Sequence, residues 1–175
     1  MDIPDFSPER TPSDARVIKL TVNGRPVEKT VPVHMSLAQF FRDRLNLMGT
    51  KIACDQAACG ACTVLLDAQA VFACQTLAAQ ADGADILTIE GLSKDNALDP
   101  LQQAFIEHDA LQCGFCTPGM IMALKAAIDS GAAANRVAIA RAISGNICRC
   151  GAYEQILDAA TDVVARRASG GMTAL

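Results

Sequence analysis

The sequence predicts an α+β chain built in two parts, a small β-sheet domain followed by a four-helix bundle. Three observations carry this. Apolar and polar residues alternate along Arg16 to Val22 and again along Val27 to Val33. From Asp99 onward the apolar period lengthens to about 3.6 residues, the repeat of an amphipathic helix. The eight cysteines divide into two quartets, one in each part, with none left over.

The elements follow in order. Asn23-Gly24, between the two alternating stretches, is a type I′ turn signal and makes them a β-hairpin. Ser36 is a helix N-cap, and Leu37, Phe40, Phe41 and Leu45 fall at helical spacing behind the hairpin. Residues 54–62, CDQAACGAC, form a loop in which four of the six residues between the cysteines are Ala or Gly. Small residues let a backbone close round an inorganic core and aim its N–H groups at sulfur, and Gly60 can take a positive φ there. Thr63 to Leu66 reads as a strand, Asp67 to Ala70 as a turn, and Val71 to Ala73 as the return that delivers Cys74. A last strand, Ile86 to Glu90, closes a β-grasp sheet. Residues 1–15 are expected to be a tail, 16–92 the sheet domain and 93–98 a linker.

The helical part is expected over 99–168, with 169–175 as a second tail. Asp99 caps a helix that begins at Pro100 and ends near His108. Thr117-Pro118 starts a second helix through Asp129, stopped by Gly131; Asn135 caps a third to about Ser144; Tyr153 opens a fourth to about Arg167. Cys113 and Cys116 then lie just before the second helix, and Cys148 and Cys150 between the third and fourth. One end of the bundle collects four thiolates, facing the positive ends of the second and fourth helices.

The cysteine spacings point to metal chemistry. Cys54, Cys59, Cys62 and Cys74 have the spacing C-x4-C-x2-C-x11-C, which contains the plant-type pattern for a [2Fe–2S] cluster, and Cys113, Cys116, Cys148 and Cys150 have C-x2-C-x31-C-x-C. For the Cys113/Cys116 pair alone, structural zinc and iron–sulfur are both consistent. The 175 residues, 51% hydrophobic, are ample for a core. A formal net charge of −4, before any thiolate is counted, argues against nucleic acid as a partner. The start, Met1-Asp2-Ile3-Pro4-Asp5, has neither a basic nor an apolar character, and no apolar run approaches a membrane span, so the chain reads as cytoplasmic, where disulfides are disfavoured.

The segments CDQAACGACTV, QCGFCTPGM and GNICRCGAY resemble the iron–sulfur subunit, or equivalent N-terminal region, of molybdenum hydroxylases of the xanthine dehydrogenase family. The resemblance covers roughly Arg16 to Arg167. It implies an N-terminal plant-type ferredoxin domain followed by a helical [2Fe–2S] domain, with two clusters that pass electrons one at a time. The electrons come from a molybdenum–pterin cofactor, expected in its dinucleotide form, on a large partner subunit. They leave to FAD on a medium subunit or to a cytochrome. It further implies that Cys113, Cys116, Cys148 and Cys150 hold the cluster nearer molybdenum, and Cys54, Cys59, Cys62 and Cys74 the cluster nearer the acceptor. Gln112 and Cys150 match positions that meet the pterin in relatives. Many relatives carry Thr-Gly after the last cysteine, where this chain has Gly151-Ala152-Tyr153, so the pterin contacts are expected to differ in detail.

Other residues carry plainer expectations. Tyr153 packs at a helix start, and Met120 and Met122 serve bundle packing or a contact surface. Arg149, between two ligands, either stabilises a reduced cluster or is solvated. His34 and His108 have no acid or metal-ligand partner at characteristic spacing, and structural or exposed roles are expected. No nucleophile–base–acid set or phosphate-binding glycine loop occurs, so the chemical step belongs to another chain. A diffusible two-cluster ferredoxin and a zinc-stapled interaction module are the alternatives.

Overall fold

Asn23 and Gly24 both take positive φ, 53° and 74°, as a two-residue type I′ turn requires. In the computed structural model, which describes residues 14–95 and 97–170, they fold strand β1 (Ala15–Val22) back on β2 (Arg25–Pro32). The expected N-terminal tail lies almost wholly outside the described residues, as does most of the C-terminal one.

Ser36 opens α1 (Leu37–Gln39) through a reciprocal capping box, accepting from the Gln39 N–H at 3.2 Å while its own N–H donates to Gln39 Oε1 at 3.3 Å. The expected helix is not regular. It widens into a π-helical turn over Phe40–Arg44, where both adjacent phenylalanine rings are fully buried with centroids 5.9 Å apart.

The second hairpin departs from expectation by two residues. β3 (Thr63–Leu66) turns at Asp67-Ala68, with φ of 48° and 65°, straight into β4 (Gln69–Phe72). Neither residue is glycine; the turn is held instead by Asp85, whose N–H donates to Asp67 Oδ1 at 2.9 Å and whose carbonyl accepts from the Asp67 N–H at 2.8 Å. β5 is also shorter than expected, Asp85–Leu87 rather than Ile86 to Glu90. The Asn23 side chain takes the Thr88 N–H at 2.8 Å and donates to Thr88 Oγ1 at 3.0 Å, and the chain leaves the sheet in a 3₁₀ turn, Ile89–Gly91. The sheet order is β2-β1-β5-β3-β4, with β1 and β5 parallel and the other pairs antiparallel.

Four helices follow: α2 (Pro100–Glu107), α3 (Thr117–Asp129), α4 (Arg136–Ala142) and α5 (Tyr153–Ala168). Asp99 caps α2 through the Leu101 N–H at 2.9 Å, and Asn135 caps α4 through the Ala138 N–H at 3.0 Å. β3 joins the two parts, because alternate residues of a strand face opposite ways. Val64 packs into the sheet core with Ile18, Leu37 and Phe40, whereas Leu65 packs into the helical core with Phe105, Met120 and Leu124. Met120 and Met122 are fully buried, so both are core packing. Among the described residues no helix is long and apolar enough to cross a membrane.

A buried cation ties α2 to α3. Lys125 Nζ lies 3.2 Å from Asp99 Oδ2 and 3.1 Å from Asp129 Oδ2, with the Lys125 and Asp99 side chains only 10% and 6% exposed. Lys125→Met keeps the volume but leaves the Asp99 carboxylate uncompensated. The expected loss is about 3 kcal/mol of stability, read from the urea midpoint of the full chain.

Candidate metal centres

Three positive φ angles within six residues, at Asp55 (54°), Ala57 (58°) and Gly60 (69°), curl the first cysteine loop so that its N–H groups point inward. The N–H groups of Gln56 and Ala58 reach the Cys54 sulfur, Ala58 at 3.3 Å, and lower its thiol to about 7. The loop is braced from outside by Gln75 Nε2, which donates to the Asp55 carbonyl at 2.8 Å, and at its far end by Thr63, whose hydroxyl donates to the Gly60 carbonyl at 2.6 Å. Cys74 lies two residues past the end of β4 and is buried with Cys62. Burial pushes the Cys62 thiol up to about 12.

The helical tetrad repeats this asymmetry. Cys113 and Cys150 are exposed, while Cys148 is buried and Cys116 partly so. The Phe115 N–H, then the Cys150 thiol, lowers Cys113. Burial raises Cys116 to about 12. Burial also works against the Cys148 thiolate, but the N–H groups of Ala152, Gly151 and Cys150 and the Cys116 thiol outweigh it and leave Cys148 below its ordinary value. Ala152, at the N-terminal end of α5, donates to Cys148 Sγ at 3.4 Å.

Within each tetrad the sulfurs lie close enough to act on one another's ionisation: Cys59 on Cys54, Cys74 and Cys59 on Cys62, Cys150 and Cys148 on Cys113, and Cys148 and Cys113 on Cys116. Among the described residues no three His, Cys, Asp or Glu side chains converge on one point as a single ion needs. Four thiolates are the donor set of a two-iron centre, and the eight cysteines, all free thiols, fit it.

Gln112 is exposed and its Nε2 donates to the Cys150 carbonyl at 3.3 Å, so it braces the loop that carries Cys150 from within this chain. The structure adds a residue whose role the sequence left as packing. The Tyr153 Oη accepts the Cys148 N–H at 2.8 Å, fixing the backbone at Cys148; only its place, five residues beyond a cysteine at a helix start, hinted at this. His34 and Arg149 are exposed. His108 does have an acid partner, Asp162 Oδ2 at 3.2 Å across α2 and α5, a pairing hidden by 54 residues of sequence.

The two loops touch. The Ile147 N–H donates to the Cys59 carbonyl at 2.9 Å, so one hydrogen bond links the main chain at a first-tetrad cysteine to the residue preceding Cys148. Beside it, Asn146 Nδ2 donates to the Gly60 carbonyl at 2.9 Å and to Thr63 Oγ1 at 3.1 Å. A Cβ at Gly60 would lie 2.6 Å from both Asn146 Nδ2 and the Gly145 carbonyl, and one at Gly119 would lie 2.3 Å from the Gly60 carbonyl. Only bare glycine backbone permits this approach.

The sheet with its four-cysteine loop and the helical bundle with four cysteines of its own together define an iron–sulfur protein of two parts, one ferredoxin-like and one helical. Comparison with known proteins agrees: the 2Fe-2S iron-sulfur cluster binding domain family matches residues 20–88, and the [2Fe-2S] binding domain family matches residues 88–161. The chain is 45% identical over 152 residues to the nicotine 6-hydroxylase small subunit of Paenarthrobacter nicotinovorans, covering 87% of this chain and 92% of that one. It is 44% identical over 152 residues to the caffeine dehydrogenase subunit gamma of Pseudomonas sp. (strain CBB1), covering 85% and 91%. The crystal structure of quinoline 2-oxidoreductase from Pseudomonas putida 86 superposes with a TM-score of 0.85 at 42% identity, covering 91% of this chain and 99% of that one. The chain belongs to the family of iron–sulfur small subunits of the molybdenum hydroxylases, with two [2Fe–2S] domains and a role in electron transfer.

The thiol asymmetry is directly measurable. In the cluster-free chain at pH 7.5, brief iodoacetamide treatment mapped by mass spectrometry is expected to label Cys54 well ahead of Cys62 and Cys116. Its thiolate fraction is already substantial once pH passes about 7, whereas theirs is negligible until near 12.

Proposed function

We propose that this chain is the electron conduit of a cytoplasmic multisubunit molybdenum hydroxylase, with one [2Fe–2S] centre held by Cys54, Cys59, Cys62 and Cys74 and the other by Cys113, Cys116, Cys148 and Cys150. Each centre, when bound, takes up and returns one electron at a time. The single observation that carries the reading is the meeting of the two loops. Two cysteine tetrads are joined by a backbone hydrogen bond from Ile147 to Cys59, which makes them one route rather than two separate sites.

The exposed end of the helical tetrad gives the route its direction. Cys113 and Cys150 are exposed, with Leu111 and Phe115 standing 41% and 45% exposed beside them, an apolar rim suited to a protein partner. We infer that this face meets the large subunit carrying the molybdenum–pterin dinucleotide. Gln112, held against the Cys150 carbonyl, then lies where the pterin approaches. Cys54, in a loop of exposed residues, faces the FAD of a medium subunit or a cytochrome. The residues' own work is to hold thiolates with N–H groups, to bury one pair in each tetrad, and to keep the other pair toward a partner.

The purified native complex is expected to contain about four iron and four acid-labile sulfide per copy of this chain, with two rhombic EPR signals on reduction. Full zinc occupancy without sulfide overturns the reading. For the direction, Cys59→Ser is expected to leave molybdenum reducible by substrate while stopping delivery to the acceptor, whereas Cys150→Ser impairs the helical centre itself. Equal, complete loss of molybdenum reduction in both variants refutes that order.

A further inference from the structure

We propose that Asn146 is a positioning residue for electron passage, the latch that fixes the spacing of the two thiolate loops. The inference rests on the conduit reading and concerns a residue that holds no cofactor. Its side chain is only 5% exposed, and its amide donates to two acceptors, the Gly60 carbonyl and the Thr63 hydroxyl, both in the opposite domain. Thr63 donates to the same Gly60 carbonyl twice, from its hydroxyl at 2.6 Å and its main-chain N–H at 3.1 Å, so three donors close on one carbonyl between Cys59 and Cys62. The Asn146 amide nitrogen is therefore engaged by contacts that exist only while the domains are docked.

The position matters because of its neighbours in sequence. Asn146 precedes Ile147, whose N–H reaches the Cys59 carbonyl, and Ile147 precedes Cys148. Gly60, its acceptor, follows Cys59. The two parallel contacts, Asn146 to Gly60 and Ile147 to Cys59, form a two-point clamp; a single hydrogen bond leaves the loops free to pivot, and two do not. A Cβ at Gly119 would lie 2.3 Å from the same Gly60 carbonyl, so the helical part packs tightly on it, and loss of the Asn146 donors leaves that carbonyl held only by Thr63, within its own domain. The step served is the transfer of one electron from the reduced site to the oxidised one, with no bond made or proton moved. Its rate falls as the loops separate.

Asn146→Asp tests this with almost no change of size: the hydrogen bond donated to the Gly60 carbonyl becomes a contact between oxygens, and the Thr63 hydroxyl can meet the new carboxylate only by turning its proton away from that carbonyl. Thr63→Val is the milder partner, removing one of the two acceptors. In the native complex, the expected result for both variants is full iron content and two EPR signals, but altered spin–spin coupling between them and slower transfer from the helical site to the other. Hydrogen exchange of the segment 145–153 rises roughly tenfold in Asn146→Asp, and less in Thr63→Val. Unchanged coupling and exchange in both variants overturn the proposal. If Asn146→Asp assembles without iron, Thr63→Val decides by the same two readouts. Absence of iron from the wild-type complex sinks the conduit reading instead, so the two failures are distinguishable.

Discussion

The architecture depends on a carbonyl and an N–H meeting across a domain boundary, Cys59 to Ile147, in a place where no Cβ can be accommodated. Gly60 and Gly119 supply the bare backbone, and everything on either side is arranged to bring them together. β3 turns one face to each core, Val64 to the sheet and Leu65 to the helices, so the sheet and the bundle share a wall rather than a hinge. α3 begins directly after Cys116 and runs against β3, carrying Gly119 against the first loop. The linker near Lys94 and Ala97 merely connects what this contact already positions.

Much of this was legible because the informative residues are local. Asn23-Gly24 announces its turn by identity alone, and Ser36, Asp99 and Asn135 announce helix starts in the same way. The cysteine quartets declare their chemistry by spacing. What escaped the sequence is set by partners far along the chain. Asp67-Ala68 makes the same kind of turn as Asn23-Gly24, but with an Ala that carries no turn signal, because Asp85 holds it from the next strand. β5 stops at Leu87 because a side chain 65 residues earlier claims Thr88. The alternation that continues to Glu90 gives no warning of that competition.

The sites show the same division. Eight cysteines can be counted from the sequence, but their gathering at two sites is a property of the folded loops. Tyr153, legible only as an aromatic at a helix start, accepts the main-chain N–H of Cys148. His108 looked solitary and is not, because α2 and α5 pack together and bring Asp162 to it. Pattern therefore indicated what kind of centre to expect, while tertiary contact decides which groups surround it.

The distance in sequence between Gly60 and Asn146, 86 residues, has a bearing on biogenesis. The N-terminal thiolate loop is translated long before the segment that buttresses it, and it gains that support only once Asn146 has left the ribosome. A nascent sheet domain therefore offers scaffold machinery an unsupported loop. Iron delivered early would enter a site whose back wall has not yet been synthesised, so productive maturation belongs to the finished, docked chain.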